Sequence, residues 1–115
     1  MSSASGFVAV LVIDLHFPDS GSLKSKRKEL SSIKAQLRGR LGLSVAETGH
    51  HDRWQRATLT AALTSGSLST LSTAADNVER WLEARCPEGV RIQRVVASVE
   101  ELDDSITSAA MEGYD

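Results

Sequence analysis

Residues 7–16 alternate between two sets of side chains, and both sets are largely apolar. A two-residue period with apolar side chains on both faces is typical of a strand in the interior of a sheet. We therefore predict that this segment is the central strand of the fold. One face carries Phe7, Ala9, Leu11, Ile13 and Leu15, and the other carries Val8, Val10 and Val12.

Beyond residues 18–21, which interrupt this alternation, apolar positions recur at the spacing of a helix. Ser22 stands before this segment as a suitable N-cap, and Gly42 stands after it as a suitable stop signal. We predict a first helix from Leu23 to about Leu41. Its apolar stripe consists of Leu23, Leu30, Ile33, Leu37 and Leu41.

The next segment has the pattern of a hairpin. Residues 43–48 and 54–64 alternate like strands, and the polar residues 49–53 lie between them. We expect two antiparallel strands joined by this turn.

A second helix and a last strand complete the pattern. Helical spacing returns after Gly66 and ends at Cys86, because Pro87 cannot continue a helix. Residues 90–99 alternate again and predict the last strand, whereas the acidic residues 100–115 predict a loose tail.

The resulting order of elements, βαββαβ, predicts an α+β fold. It is typical of the ferredoxin-like sandwich, in which two helices cover one face of a four-stranded antiparallel sheet of order 4-1-3-2. A chain of 115 residues is long enough to bury one core. We predict a single domain over residues 1–115, with a folded core at about 7–99.

Composition and cysteine content indicate a cytoplasmic protein. Hydrophobic residues make up 41% and charged residues 24% of the chain, which are ordinary globular values. The single cysteine, Cys86, cannot form an internal disulfide, and at a helix C-terminus its thiol is disfavoured as a nucleophile. The apolar residues 7–13 are too short to span a membrane and lack the basic flank of a signal peptide. We expect no membrane association.

Charge is distributed unevenly, although the net charge is only −2. Seven of the thirteen basic residues lie between Lys24 and Arg40. In the predicted topology, the start of helix one and the turn 49–53 lie at the same end of the domain. Cations at a helix N-terminus oppose its dipole, so an anion such as an RNA phosphate would be favoured there. The candidate anion-binding residues are Ser22, Lys24, Lys26, Arg27, Lys28, His50, Arg53 and Arg56; the alternative is that the cations only solvate the helix.

Catalytic interpretations have weaker support. His16, His50, His51 and Asp52 could share one end of the domain and hold a metal, but their spacing matches no metal motif. Ser22 or Ser25 with His50 and Asp52 could be drawn as a triad, yet the chain has no nucleophile elbow or phosphate-cradling glycine loop. We therefore expect no catalytic residue, metal or cofactor. A small metal- or histidine-dependent enzyme remains the alternative.

The second face of the sheet is predicted to be uncovered by helices. It carries valines and, on the third strand, Thr58 and Thr60, rather than the aromatic residues that stack RNA bases in sheet-based modules. Self-association across this face, or cover by Leu102, Ile106 and Tyr114 of the tail, would explain its apolar strip. We interpret Trp54 as a packing anchor at the hairpin edge.

Two segments of the chain, SLKSKR at residues 22–27 and SVAETGHHDRWQRA at residues 44–57, closely resemble the YlxP-like family, also called domain of unknown function 503. The resemblance covers roughly residues 7–99. It implies a ferredoxin-like fold in a cytoplasmic bacterial protein that is typically encoded near factors for translation initiation and ribosome maturation. It implies no established activity. The matching positions are Ser22, Leu23, Lys24, Lys26, Arg27, Glu47, Gly49, Asp52, Trp54 and Gln55.

Together these observations predict a non-catalytic binding module whose basic end contacts RNA or an acidic protein partner, with a possible link to ribosome maturation or translation. A purely structural homo-oligomer, formed through the open sheet face, is the third alternative.

Overall fold

The computed structural model describes residues 6–104. These residues form, in chain order, β1 (Phe7–His16), α1 (Leu23–Gly39), β2 (Ser44–Gly49), β3 (Arg56–Ser65), α2 (Leu68–Arg85) and β4 (Val90–Ser98). All four strands join one antiparallel sheet of order β2-β3-β1-β4. Counted from the other edge this order is 4-1-3-2, which confirms the predicted ferredoxin-like topology.

Strand β1 is central, as its doubly apolar pattern predicts. It pairs with β3 along its whole length, and it pairs with β4 from Phe7 to Leu15. Its odd-numbered residues face the helices, and from Ala9 to Leu15 they are at most 2% exposed. The even-numbered residues are on the opposite face of the sheet, where they are only half-buried as far as Asp14.

Both helices bury an apolar stripe against the same face of the sheet. The fully buried positions recur every three or four residues, which is the spacing of one helix face. In α1 they include Leu30, Ile33 and Leu37, and in α2 they are Leu71, Ala75, Val78 and Leu82. The core is therefore a single layer between helices and sheet.

Side-chain caps set the starts of the helices. The Ser22 hydroxyl accepts a hydrogen bond from Ser25 N at 3.1 Å, as predicted for an N-cap. Helix α1 ends at Gly39, two residues before the predicted end. The chain reverses there because Gly42 adopts a φ of 73°, which glycine tolerates without steric cost, and Leu43 N then donates to Leu37 O.

A short helical segment follows β4, where the sequence analysis predicted a tail without structure. Residues 99–104 are helical. The Glu101 amide donates to the Ser98 hydroxyl and the Ser98 amide donates to the Glu101 carboxylate, each at 3.1 Å. This reciprocal pair is a capping box, and the Ser-x-x-Glu spacing at 98–101 was the signal for it. Residues 105–115 of the predicted tail lie outside the described residues.

Polar contacts bind the helices to the two edge strands. Arg38 of α1 donates to the carbonyl of Val45 in β2 at 2.7 Å, and Arg94 of β4 forms ion pairs with Asp76 and Glu79 of α2. The two carboxylates raise the pKa of the Arg94 guanidinium above its usual range.

No helix within residues 6–104 is long and apolar enough to cross a bilayer.

Candidate functional site

One end of the domain collects the segments that the sequence analysis expected to meet. It consists of loop 17–22, the first turns of α1, the turn 50–55 and loop 86–89, and we call it the hairpin pole. Backbone hydrogen bonds join its parts directly: Phe17 N donates to Gln55 O at 2.8 Å, and His16 N donates to Gly89 O at 3.1 Å. Segments that are far apart in sequence are therefore neighbours in space.

The amine of Lys26 holds the start of α1 against the hairpin turn. Lys26 is only 1% exposed, and its Nζ donates to His50 O at 2.7 Å and to His51 O at 3.3 Å. The Glu47 carboxylate lies 3.6 Å from the same nitrogen. A buried ammonium is tolerated only where hydrogen-bond acceptors and a counter-charge are supplied in this way.

The sequence analysis grouped Lys26 with the cations that would contact an external anion. The structure corrects that grouping, since this ammonium is enclosed and its hydrogen bonds go to the protein's own carbonyls. Helical spacing places Lys26 on the apolar stripe, one turn before Leu30, but it does not show which groups would pair the buried amine.

The backbone of the hairpin turn is shaped to present these carbonyls. His50 adopts a φ of 58°, which is uncommon for a residue with a side chain. Gly49 lies so close to β3 that a Cβ atom there would stand 3.1 Å from Thr58 Cβ. A side chain at Gly49 would thus press the turn away from β3.

Gln55 binds the turn to the loop that precedes α1. Its side-chain amide donates to Pro18 O at 3.3 Å and lies at the limit of a hydrogen bond, 3.5 Å, from Ser20 O. The Ser20 hydroxyl in turn donates to Ser22 O at 3.1 Å. Because Gln55 takes part in this loop contact, β3 begins at Arg56 rather than at the predicted Trp54.

The remaining candidate cations are exposed. Among residues 6–104, none of them forms an ion pair with a carboxylate. They lie on the first two turns of α1, on the hairpin turn and at the first position of β3. They are Lys24, Arg27, Lys28, Arg53 and Arg56.

Two adjoining hollows open on the side of the pole that continues into the uncovered sheet face. The first, of about 320 Å³, is lined by Asp52, Arg53, Trp54 and Gln55 together with His16 and Arg56. The second, of about 380 Å³, shares His16 and Arg56 and is completed by Asp14, Leu15, His50, Gly89, Val90 and Arg91. We call the two together the arginine trough.

Among the residues of this trough, sequence reasoning left out Arg91 and misinterpreted Trp54. Arg91 lies opposite Asp14 in the β1–β4 register, and the alternation of β4 could have placed it on the open face. Trp54 was interpreted as a packing anchor, but it is 51% exposed. A turn between two strands gives no periodic signal for side-chain burial, so only the folded loop reveals this exposure.

The metal and triad interpretations gain no geometric support. Across the described part of the chain, no three His, Cys, Asp or Glu side chains are grouped so that they could hold a metal ion. In the proposed triad, the Ser22 hydroxyl already caps α1, and the His50 side chain is exposed.

Cys86 borders a small hollow of about 190 Å³ between loop 17–20 and the end of α2. It is 8% exposed, as expected for a small residue at the edge of the core. Burial raises the pKa of its thiol, and the nearby Arg85 guanidinium only partly offsets this effect. The thiolate, which is the reactive form, is therefore disfavoured.

The uncovered sheet face presents the apolar strip that the sequence analysis anticipated. Val10 and Val12 are half-buried there, and Val95 of β4 is 61% exposed. Leu102, one of the residues expected to cover this face, is itself 41% exposed. The other two, Ile106 and Tyr114, lie outside the described residues.

Comparison with known proteins identifies similar chains. A family model described as "Protein of unknown function (DUF503)" matches residues 8–95. "Uncharacterized protein YlxP" of Bacillus subtilis (strain 168) is 29% identical over 89 residues, which cover 77% of this chain and 82% of the relative. Among solved structures, the de novo designed protein Foldit4 superposes with a TM-score of 0.53 at 9% identity, covering 81% of this chain and 97% of the design. The design agrees with the fold assigned from the sheet order.

Substituting Lys26 with methionine tests the buried amine. K26M leaves the His50 and His51 carbonyls and the Glu47 carboxylate without their donor, so we expect the free energy of unfolding to fall by about 1–3 kcal/mol. Chemical denaturation followed by circular dichroism measures the change. K24M, an exposed lysine on the same turn, is the matched control and should change stability by less than about 0.5 kcal/mol. Equal midpoints for the two variants would contradict the structural role.

Alkylation of Cys86 tests its environment without interference, because the chain has no other cysteine. Burial favours the protonated thiol, so in the native protein the alkylation rate should rise only at a higher pH than in the unfolded chain. Mass spectrometry after timed iodoacetamide treatment, with and without denaturant, provides the comparison. Equal rates in both states would show that the native fold neither shields the thiol nor raises its pKa.

Proposed function

This chain belongs to the DUF503 family, and we propose that it is a non-catalytic binding protein whose hairpin pole contacts the phosphates of RNA. The observation that carries the proposal is the set of five exposed cations at this pole, which have no carboxylate partner within residues 6–104. The link to ribosome maturation or translation is part of the same proposal.

Helix α1 concentrates this charge at its N-terminus. Its first turn contains no acidic residue, although acids are the favoured charge at that end. An exposed cation in the first turn of a helix, as Lys24 is in α1, opposes the dipole by about 0.3–1 kcal/mol. A bound phosphate reverses the effect, since it interacts favourably both with the dipole and with the cations.

The pole is also held in place before any ligand arrives. The Lys26 amine, the Gln55 amide and the N-cap of α1 fix the helix start against the turn. Exposed side chains on a fixed backbone lose less entropy on binding than side chains on a mobile loop. Lys26 therefore fixes the backbone of the site, while the exposed Lys24, Arg27 and Arg53 are free to contact the ligand.

RNA accounts for these features better than an acidic protein. The family resemblance implies a genetic setting among translation factors, where structured RNA is the abundant polyanion. An acidic protein partner would use the same cations, and the experiment below distinguishes the two ligands.

Fluorescence anisotropy with a labelled, structured RNA at several salt concentrations tests this function. We expect log Kd to vary linearly with log salt, with a slope of about 0.7–0.9 per phosphate contact. The double variant K24A/R27A should weaken binding and reduce that slope by about 1–2. The matched control is R40A/R80A, which removes the same charge from the far end of α1 and from α2. Absence of binding, or equal effects of the two double variants, would contradict the proposal; a pull-down would then test the acidic protein partner.

Self-association through the uncovered sheet face is a second candidate function. The observation that favours it is the exposure of Val95, which at 61% is large for an apolar residue in the middle of a strand. This arrangement does not involve the cations of the pole.

Light scattering tests self-association. We expect the mass of a dimer for the unmodified protein and the mass of a monomer for V95E, because the introduced carboxylate would be desolvated at the interface. L68E is the control, since Leu68 is 49% exposed but lies at the start of α2. A monomer mass for the unmodified protein would rule out this candidate.

A further inference from the structure

We propose that Trp54 is a stacking platform for an unpaired RNA base, so that the protein selects single-stranded or looped RNA over duplex. This inference rests on the proposed RNA binding and specifies the class of RNA. It concerns the arginine trough, which lies beside the cations of α1. His50, Arg53 and Arg56 of this trough were expected at the site from the sequence, whereas Arg91 was not and Trp54 was expected to pack.

The loop that carries Trp54 is held by backbone hydrogen bonds and not by burial of the indole. On one side of it Arg53 N donates to His50 O at 3.1 Å, and on the other side Gln55 O accepts from Phe17 N at 2.8 Å. These backbone bonds fix the loop at both neighbours of Trp54. The backbone that carries the indole is thus fixed, while 51% of the residue's surface remains exposed.

Arginines line the hollow that contains this indole and the hollow beside it. Arg53 and Arg56 line the same hollow as Trp54, and Arg91 lines the adjoining one. Two carboxylates, Asp14 and Asp52, also line the trough, and Asp14 accepts a hydrogen bond of 2.7 Å from the Thr58 hydroxyl. The three guanidinium groups outnumber these carboxylates, so the charge of the trough is net positive.

An aromatic surface next to arginines matches the chemistry of a single-stranded nucleic acid. Unpaired bases stack on aromatic side chains, and the adjacent phosphates bind guanidinium groups. A duplex keeps its bases in its own stack and offers only its backbone. Each hollow has the size of a small-molecule site, for which about 300–1,000 Å³ is usual.

The middle of the open sheet face offers no alternative platform. There β1 and β3 carry Val10, Val12, Thr58 and Thr60, and none of these side chains is aromatic. Base stacking in this fold is therefore assigned to the hairpin loop at the end of the sheet.

Tryptophan fluorescence reports on the stacking directly, because the chain has two tryptophans. Trp81 packs against the core, so W81F leaves Trp54 as the single indole and W54F leaves Trp81. We expect an unstructured single-stranded RNA to quench the emission of W81F and to leave that of W54F unchanged. The same strand annealed to its complement should quench neither variant.

Affinity measurements separate stacking from charge. W54A should bind the single strand about 5- to 100-fold more weakly, with an unchanged salt slope, because no phosphate contact is lost. R53A/R56A should weaken binding and also lower the slope. Circular dichroism spectra and denaturation midpoints of both variants establish that the fold is retained.

The possible outcomes distinguish the two proposals. Binding of duplex and single strand with equal affinity, without quenching of Trp54, would overturn the stacking inference and leave the phosphate-binding function in place. Failure to bind any RNA would overturn both, and the exposed Trp54 would then indicate a contact with a protein partner.

Discussion

A single buried ammonium group determines the geometry of the hairpin pole. Lys26 belongs to α1, its hydrogen-bond acceptors belong to the turn after β2, and its counter-charge belongs to Glu47 in β2. A charge that is 1% exposed must keep these partners, because the cost of leaving it unpaired exceeds the strength of an ordinary hydrogen bond. The start of the helix and the hairpin turn therefore form one rigid unit.

This constraint divides the residues that carry the family resemblance into two groups. Some of them build the pole: they cap the helix, pair the buried amine, allow close approach of strands or bind the preceding loop. These are Ser22, Lys26, Glu47, Gly49 and Gln55. Others make no contact on which the fold depends and present charge or an aromatic surface to solvent. These are Lys24, Arg27 and Trp54.

The division has a chemical consequence. The polar contacts inside the pole hold the backbone of the exposed residues at fixed positions. The exposed side chains are those suited to bind RNA, which offers both phosphates and bases. The helix start offers cations, and the arginine trough offers guanidinium groups beside an indole. Both proposed contacts thus depend on the same internal scaffold, although they involve different side chains.

The sequence by itself determined the elements and their order, because apolar periodicity reflects local geometry: two residues for a strand and about 3.6 for a helix. It also placed the helix start and the hairpin turn at one end, since the βαββαβ order admits few sheet topologies. The Ser-x-x-Glu spacing at residues 98–101 also indicates the start of the helix at residues 99–104, although this helix lies outside the βαββαβ pattern.

Only the tertiary structure decided which cation is enclosed, which aromatic residue is exposed and which arginines gather around it. Helical spacing places Lys26, unlike Lys24, on the apolar stripe, but the enclosure of its amine arises from contacts with a turn more than twenty residues away. Arg56 of β3 and Arg91 of β4 line one hollow because β1 pairs with both strands, and Trp54 lies with Arg56 in the adjoining hollow. The pairing of strands that are distant in the chain is a long-range property. Burial and proximity depend on such packing, which periodicity along the chain does not encode.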